Sequence, residues 1–283
     1  MNFKEYEKTL NDRTFRDYYY KLKMLAKGVF KWDNLPNGID EQWIEEFLFM
    51  EGRCMFFRDP EKGFMVTKCT DDGFVNFYEE PTSLRPVATN YDNTSSYENG
   101  VQAVLIKNND ECHATSNSIV LYAYRLTDIT RTIDINISAQ KTPTLITCNK
   151  NQLVSLKNVY RQWNGFEPVI YGSKDLDLSG VNVLKTDAPI VFDKLQIQKH
   201  HIWNECMTFL GVNNANMDKR ERLVDDEVQA NNEQIELFAQ IALKSRERAC
   251  ELINELFGTN ISVCFREVQN ANTEDLEPIE SEV

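Results

Sequence analysis

The spacing of hydrophobic positions along this chain changes several times, and each change marks an element. Over residues 1–31, Tyr6, Leu10, Tyr18, Leu22, Leu25 and Val29 fall at helical steps and predict an amphipathic helix. Asn34-Leu35-Pro36-Asn37-Gly38 predicts a turn, because these residues preset or permit turn dihedrals. Asp40 is placed to cap a short helix that carries Trp43, Ile44, Phe47 and Leu48. The period then changes. Cys54–Arg58, Phe64–Cys69 and Phe74–Tyr78 predict strands, joined at 59–63 and 71–73. Thr89–Gly100 is polar and predicts an exposed loop, and Val101–Ile106 predicts a further strand. Residues 33–115 therefore read as a small β-rich unit.

Ser116–Ser138 fits two patterns. Ile119, Tyr122, Leu126, Ile129, Ile133 and Ile137 make a helical stripe, while Ile129, Arg131, Ile133, Ile135 and Ile137 alternate like a strand and are mostly β-branched. Pro143–Cys148, Val169–Tyr171 and Val181–Leu184 predict strands, with a short helix over Ser155–Trp163 that Asn164-Gly165 ends. Lys185–Gly211 predicts a long helix. Asp187 can cap it, Pro189 is tolerated in its first turn, and Gly211 is placed for a left-handed end. About 24 residues at ~1.5 Å each make a rod of roughly 36 Å. Val191, Leu195, Ile202, Cys206 and Phe209 form one apolar stripe, and Trp203, Met207 and Leu210 a second beside it. A rod apolar on two neighbouring faces packs on two sides at once. Residues 213–231 are polar and of mixed charge, which predicts a loop. Residues 232–257 return to helical spacing through Ile235, Phe238, Ile241, Cys250, Ile253 and Phe257. Gly258 ends them, and Ile261–Phe265 predicts a strand. Residues 269–283 hold five acidic and no basic residues, which predicts a disordered tail.

Charge narrows the function. The net charge of −13 argues against a module held on nucleic acid by counterion release, although residues 1–31 are locally basic. The acidity reads either as ordinary solubility or as a surface that repels phosphates, so that DNA passes without adsorbing. Seven scattered cysteines without a C-x-x-C pair suit free thiols in a reducing cytoplasm. No apolar run is long enough for a membrane span, and no secretion leader is evident.

Catalytic sets are missing from the pattern. The adjacent His200 and His201 would point roughly 100° apart on a helix and share a metal poorly. Asp71 and Asp72 read as turn residues, since the further acidic positions of a calcium loop are missing. No phosphate-cradling G-x-x-x-x-G-K-[ST] loop occurs, so energy for moving any polymer must come from a partner. The expectation is a non-enzymatic protein without a cofactor.

An ordered series of short motifs points to one family. Ala139–Pro143, Gln152-Leu153, Ser155-Leu156-Lys157 and Pro168-Val169-Ile170 precede Lys185–Pro189, Asp193-Lys194-Leu195, Trp203-Asn204-Glu205, Met207–Gly211 and Asn214-Ala215-Asn216. Glu221-Arg222, Asp226-Glu227-Val228, Glu233-Gln234-Ile235, Leu243–Glu247 and Ile253–Leu256 follow. In this order and spacing they make the chain resemble the portal protein (upper collar, or head–tail connector) of small short-tailed bacteriophages, nearly without gaps from about Ser116 to Phe265. Further upstream the likeness thins to Trp32–Pro36 and Asn108-Asn109-Asp110.

The resemblance implies an α+β portal-type subunit. Residues 1–115 and 232–268 would form a β-rich wing packed with N- and C-terminal helices. Residues 116–139 and 187–212 would be two long stem helices, 140–186 a small α/β clip and 213–231 a tunnel loop. The resemblance thus decides for helix over 116–139. It implies a dodecameric ring at one capsid vertex of the virion, assembled in the host cytoplasm, through which double-stranded DNA passes without sequence preference. Implied partners are further copies of the chain, capsid and scaffold proteins, a separate packaging ATPase and a lower collar or tail protein. A packaging RNA is the weakest of the implied partners, because residues 1–31 lack a dense Arg/Lys run. The family's channel lysines match Lys185 and Lys194, whose rings would lie roughly 13 Å apart along one continuous rod. Its tunnel-loop basic cluster matches Lys219, Arg220 and Arg222. A collar or adaptor ring with a purely structural role is the nearest alternative, followed by a nucleic-acid-binding module.

Overall fold

The computed structural model describes residues 3–89, 91–92, 95–140, 191–212 and 225–266. The expected clip elements within 141–186 lie outside the described residues. The chain divides into two units, Met1–Thr127 with His200–Val283, and Asp128–Lys199. The mixed helix-and-sheet class is as expected.

In the first unit, α1 (Phe3–Gly28) leads through β1 (Phe30–Asp33) to α2 (Glu41–Glu51). Asp40 caps α2 as predicted, its carboxylate accepting from the Gln42 amide at 2.9 Å. At the other end, Gly52 adopts φ +76 and its amide returns to the Leu48 carbonyl. Next come β2 (Arg53–Asp59), β3 (Gly63–Asp71), β4 (Ser83–Val87), β5 (Tyr97–Glu98) and β6 (Ala103–Lys107), which form one antiparallel sheet in the order β5-β4-β3-β2-β6. Asp59 shapes the β2–β3 turn by accepting from the Glu61 and Lys62 amides, both at 2.9 Å. α3 (Thr115–Gln140) and α4 (Phe192–Phe209), each divided between the two units at Thr127 and His200, follow, then α5 (Asp225–Phe257) and β7 (Ser262–Phe265). β7 pairs antiparallel with β1, Phe30 opposite Phe265, which fastens the C-terminal strand beside the start of the fold.

Four expectations change. The helix expected over 1–31 stops at Gly28, and Phe30–Asp33 is the strand β1 instead. Phe74–Tyr78 is not a strand. Asn76 folds it into a tight tip by accepting from the Tyr78 and Glu80 amides at 2.8 and 3.0 Å, leaving Phe74, Phe77 and Tyr78 exposed. The strand lies later, at β4, where Pro86 obscures it: proline cannot donate to a ladder. β4 accommodates it because the two-residue β5 pairs only Ser83 and Leu84, so Pro86 has a strand on one side only. The segment 89–100, expected as loop, contributes β5 and buries Tyr97 against Phe57, ring centroids 4.7 Å apart. Finally, α5 begins at Asp225, so 225–231 is helical rather than loop.

Most buried apolar residues among those described fall into three clusters. One joins α2, β1, β2, β6, α5 and β7 through Trp32, Leu48, Phe56, Ile106, Leu243 and Ile253. A second joins α1, α3 and α4 through Leu22, Ile119, Ala123, Leu126, Cys206 and Met207. The third fills the other face of the sheet around Met55, Phe57 and Leu84. Each fully buried Leu, Ile or Phe contributes about 1.5–3 kcal/mol.

Candidate functional site

Local contacts set the ends and the packing of α3 and α4. α3 starts from a hydrogen-bonded loop. Asn108 donates through its amide to the His113 carbonyl (2.9 Å) and to Thr115 Oγ1 (2.8 Å), and Asn109 Oδ1 accepts from the His113 amide (2.8 Å). Ile119, Ala123 and Leu126 then recur at helical steps and are fully buried. That spacing settles the helix-or-strand ambiguity in favour of helix.

α4 packs its C-terminal half as its double stripe predicts. Cys206 and Met207 are buried, with Ile202, Trp203 and Leu210 against the same cluster. Its end is the expected left-handed cap. Gly211 has φ +70, and the Val212 amide reaches back to the Met207 carbonyl at 2.9 Å. Glycine is needed there twice over, since a Cβ would lie 2.5 Å from Ala239 Cβ on α5. Phe209 meets Tyr122 of α3 and Phe238 of α5, each at 6.1 Å between ring centroids. Across α3 and α4, Tyr122 donates to Glu205 at 3.4 Å and Arg125 stands 3.7 Å from the same carboxylate. Burial, then the neighbouring Glu205 charge, pushes Tyr122 up to about 12, so its hydroxyl remains a donor at neutral pH. Burial also pushes the Cys206 thiol up to about 12 and keeps it an uncharged core residue.

In the second unit, the Val191 amide donates to Asn136 Oδ1 at 3.5 Å and Arg131 pairs with Asp134 at 2.8 Å. Lys194 sits exposed in the first turn of α4. Ile135, Ile137, Phe192 and Ile197 are also exposed. Lys185, Lys219, Arg220 and Arg222 lie outside the described residues, so of the five basic residues singled out in the sequence only Lys194 has a described position.

Sequence reasoning missed a buried ion pair. Arg246 on α5 is 2% exposed and Glu45 on α2 is 3% exposed. Arg246 Nε and Nη2 donate to the two oxygens of Glu45 at 2.9 and 2.8 Å. Its remaining donors reach the Asn108 carbonyl (3.1 Å), Asn108 Oδ1 (3.0 Å) and the Ala242 carbonyl (3.0 Å). Trp32 Nε1 donates to Glu45 Oε1 at 2.9 Å, and the guanidinium lies 4.1 Å from the centroid of the Phe30 ring. Every guanidinium donor is thereby used, which is the condition for a tolerable buried cation. Asn108 also holds the start of α3, so one side chain couples α5, α2, β1 and the root of α3. A cavity of about 450 Å³ opens beside it, walled in part by Phe49, Phe209, Phe238 and Ile241. A signal existed in the sequence: Arg246 interrupts the apolar stripe Ala239–Leu243–Cys250–Ile253 at a core-facing step. Among the described residues, no group of three or more His, Cys, Asp or Glu side chains is arranged to hold a metal. Asp71 and Asp72 pair with Arg53 and Arg85, at 2.8 and 2.9 Å.

The family model described as Phage Connector (GP10) matches residues 1–269 of this chain. The chain belongs to the phage connector family. Among solved structures it is similar to a chain of the portal and tail of native bacteriophage P68. The two are 17% identical with a TM-score of 0.54, over 96% of this chain and 93% of that one. It also matches an HK97-family phage portal protein from Corynebacterium diphtheriae at 11% identity and a TM-score of 0.43, over 88% and 91% of the two chains. Connectors of this family are structural proteins that assemble as oligomeric rings, contact capsid and tail, and serve DNA packaging at the capsid vertex. Head–tail connector is accordingly the function of this chain, and the virion vertex its place. No described helix of the connector is long and apolar enough to cross a membrane.

Proposed function

We propose that this connector is a dodecameric DNA channel whose α3 and α4 are the stem rods, whose residues 140–186 are the clip, and whose 1–115 and 232–268 form the wing. The observation that carries the stem assignment is the exposure of Ile135, Ile137, Phe192 and Ile197 on those two helices. Apolar side chains left bare on paired rods ask for a neighbouring copy to cover them. The chain is acidic overall, so the duplex is repelled from the wall, and a few basic rings supply weak attraction without sequence preference. Lys194, exposed at the start of α4, and Lys185 are the residues of those rings. Lys219, Arg220 and Arg222 belong to the tunnel loop and hold the packaged genome. A separate packaging ATPase drives entry, scaffold and capsid proteins seat the ring, and a lower collar or tail protein closes it. The weak basic character of α1 leaves little for a packaging RNA to bind.

Two experiments test the channel reading. Lys185→Ala with Lys194→Ala is expected to leave ring assembly intact while changing the ionic current through single rings occupied by DNA. An unchanged current with DNA in the pore would remove the basic-ring role. Lys219→Ala with Arg220→Ala and Arg222→Ala is expected to package DNA normally and then lose it from filled heads. Nuclease protection of the head DNA measures that loss, and wild-type protection would end the holding role.

A further inference from the structure

We propose that in the ring the α1 face Arg13–Arg16–Tyr20–Met24 of one copy seats on the α5 face Glu233–Glu236–Leu237–Ile241 of the next. This contact rests on the ring reading and specifies which surfaces close the ring. A head-to-tail ring needs two different surfaces on each copy that complement one another. Both faces are exposed within the subunit, with Tyr20 at 58%, Met24 at 67%, Leu237 at 61% and Ile241 at 42%. On α1 the four residues fall within about 80° of the helix circumference, since steps of three, four, seven and eight residues return to the same side, and on α5 the four spread over about 140°.

The chemistry of the two faces is opposite and runs in the same order. Along α1 two exposed arginines precede two exposed apolar residues. Along α5 two exposed glutamates precede two exposed apolar residues. Laid side by side in parallel, the helices set Arg13 and Arg16 against Glu233 and Glu236, and Tyr20 and Met24 against Leu237 and Ile241. The spans, about 16 Å along α1 and about 12 Å along α5 at ~1.5 Å per residue, differ by somewhat less than one turn, which the long arginine side chains can bridge. The apolar half excludes water and the charged half fixes register and partner, which is how interfaces divide these roles. The inner sides of both helices are already committed, α1 through Leu22 and α5 through Ile235, Ala239 and Leu243.

The test uses charge reversal on the full chain. One variant carries Arg13→Glu and Arg16→Glu, so both of its faces are acidic. The other carries Glu233→Arg and Glu236→Arg, so both are basic. All four positions are exposed, and both variants are expected to melt with the wild type. Wild-type chain is expected to give rings by electron microscopy and sedimentation, and neither variant alone should do so at low salt. An equimolar mixture should restore rings, because each acidic face then meets a basic one and copies alternate around an even-numbered ring. Rings from either variant alone at the wild-type yield would overturn the contact, as would a mixture of folded variants that stays unassembled. A wild-type chain that gives no rings would fail earlier, at the ring reading itself.

Discussion

Arg246→Ala is expected to destabilise the first unit by about 3–5 kcal/mol, because it leaves Glu45 charged and buried without its cation. The damage does not stop at one pair. Asn108 loses a donor to its carbonyl and another to its side-chain oxygen, and Trp32 is left sharing an isolated carboxylate. Domains are stable by only about 5–15 kcal/mol in total, so such a loss should cut the yield of soluble connector and move the urea midpoint sharply down. Arg246→Met combined with Glu45→Leu removes both charges together and should recover part of the loss, since a buried pair replaced by apolar groups is often neutral. It should not recover all of it, because Asn108 and Trp32 keep unmatched polar atoms. Equal urea midpoints for wild type and Arg246→Ala would show that the pair is not an anchor.

Gly52→Ala should cost about 3 kcal/mol or more, for two separable reasons. A left-handed backbone at φ +76 disfavours any side chain, by roughly 1–2 kcal/mol. The larger reason is space. A Cβ at Gly52 would stand 1.9 Å from the Cys112 carbonyl oxygen and 2.8 Å from the Ala114 amide nitrogen. Both are backbone atoms of the loop that enters α3, so they cannot rotate away. The Gly52 carbonyl also accepts from the Asn108 amide at 2.9 Å, which ties any displacement to the buried ion pair. Gly63→Ala provides the comparison. It has φ +80 but nothing within 4 Å of its Cβ position, and should show only the conformational cost. Thermal melts of the two variants separate the terms, and matching losses would show that the close approach of Gly52 carries no energetic weight.

The elements read correctly from the sequence are those whose own residues specify them. α1, α2 and the C-terminal half of α4 each declare a helical stripe, and their ends carry chemistry that works locally: Asp40 on the next turn's amides, Gly211 in a left-handed cap. β2 is a short apolar run buried on both faces, and an aspartate-led turn joins it to β3. Phe74–Tyr78 misled because its aromatics suit a strand, while Asn76 satisfies the backbone locally and turns the chain. β4 was hidden by Pro86, and β5 is too short for any period to register.

By itself, then, the sequence determined the helical and sheet segments with strong local patterns, the acidic net charge, and the ordered motifs that mark a phage connector. Only the tertiary structure decided that Arg246 lies inside, because its partner Glu45 stands 201 residues away and no local pattern couples them. It likewise decided that Gly52 must lack a side chain for the sake of Cys112 and Gly211 for the sake of Ala239. Local propensity acts over a few neighbouring residues. Burial, ion pairing and close backbone approach depend on which distant segments meet.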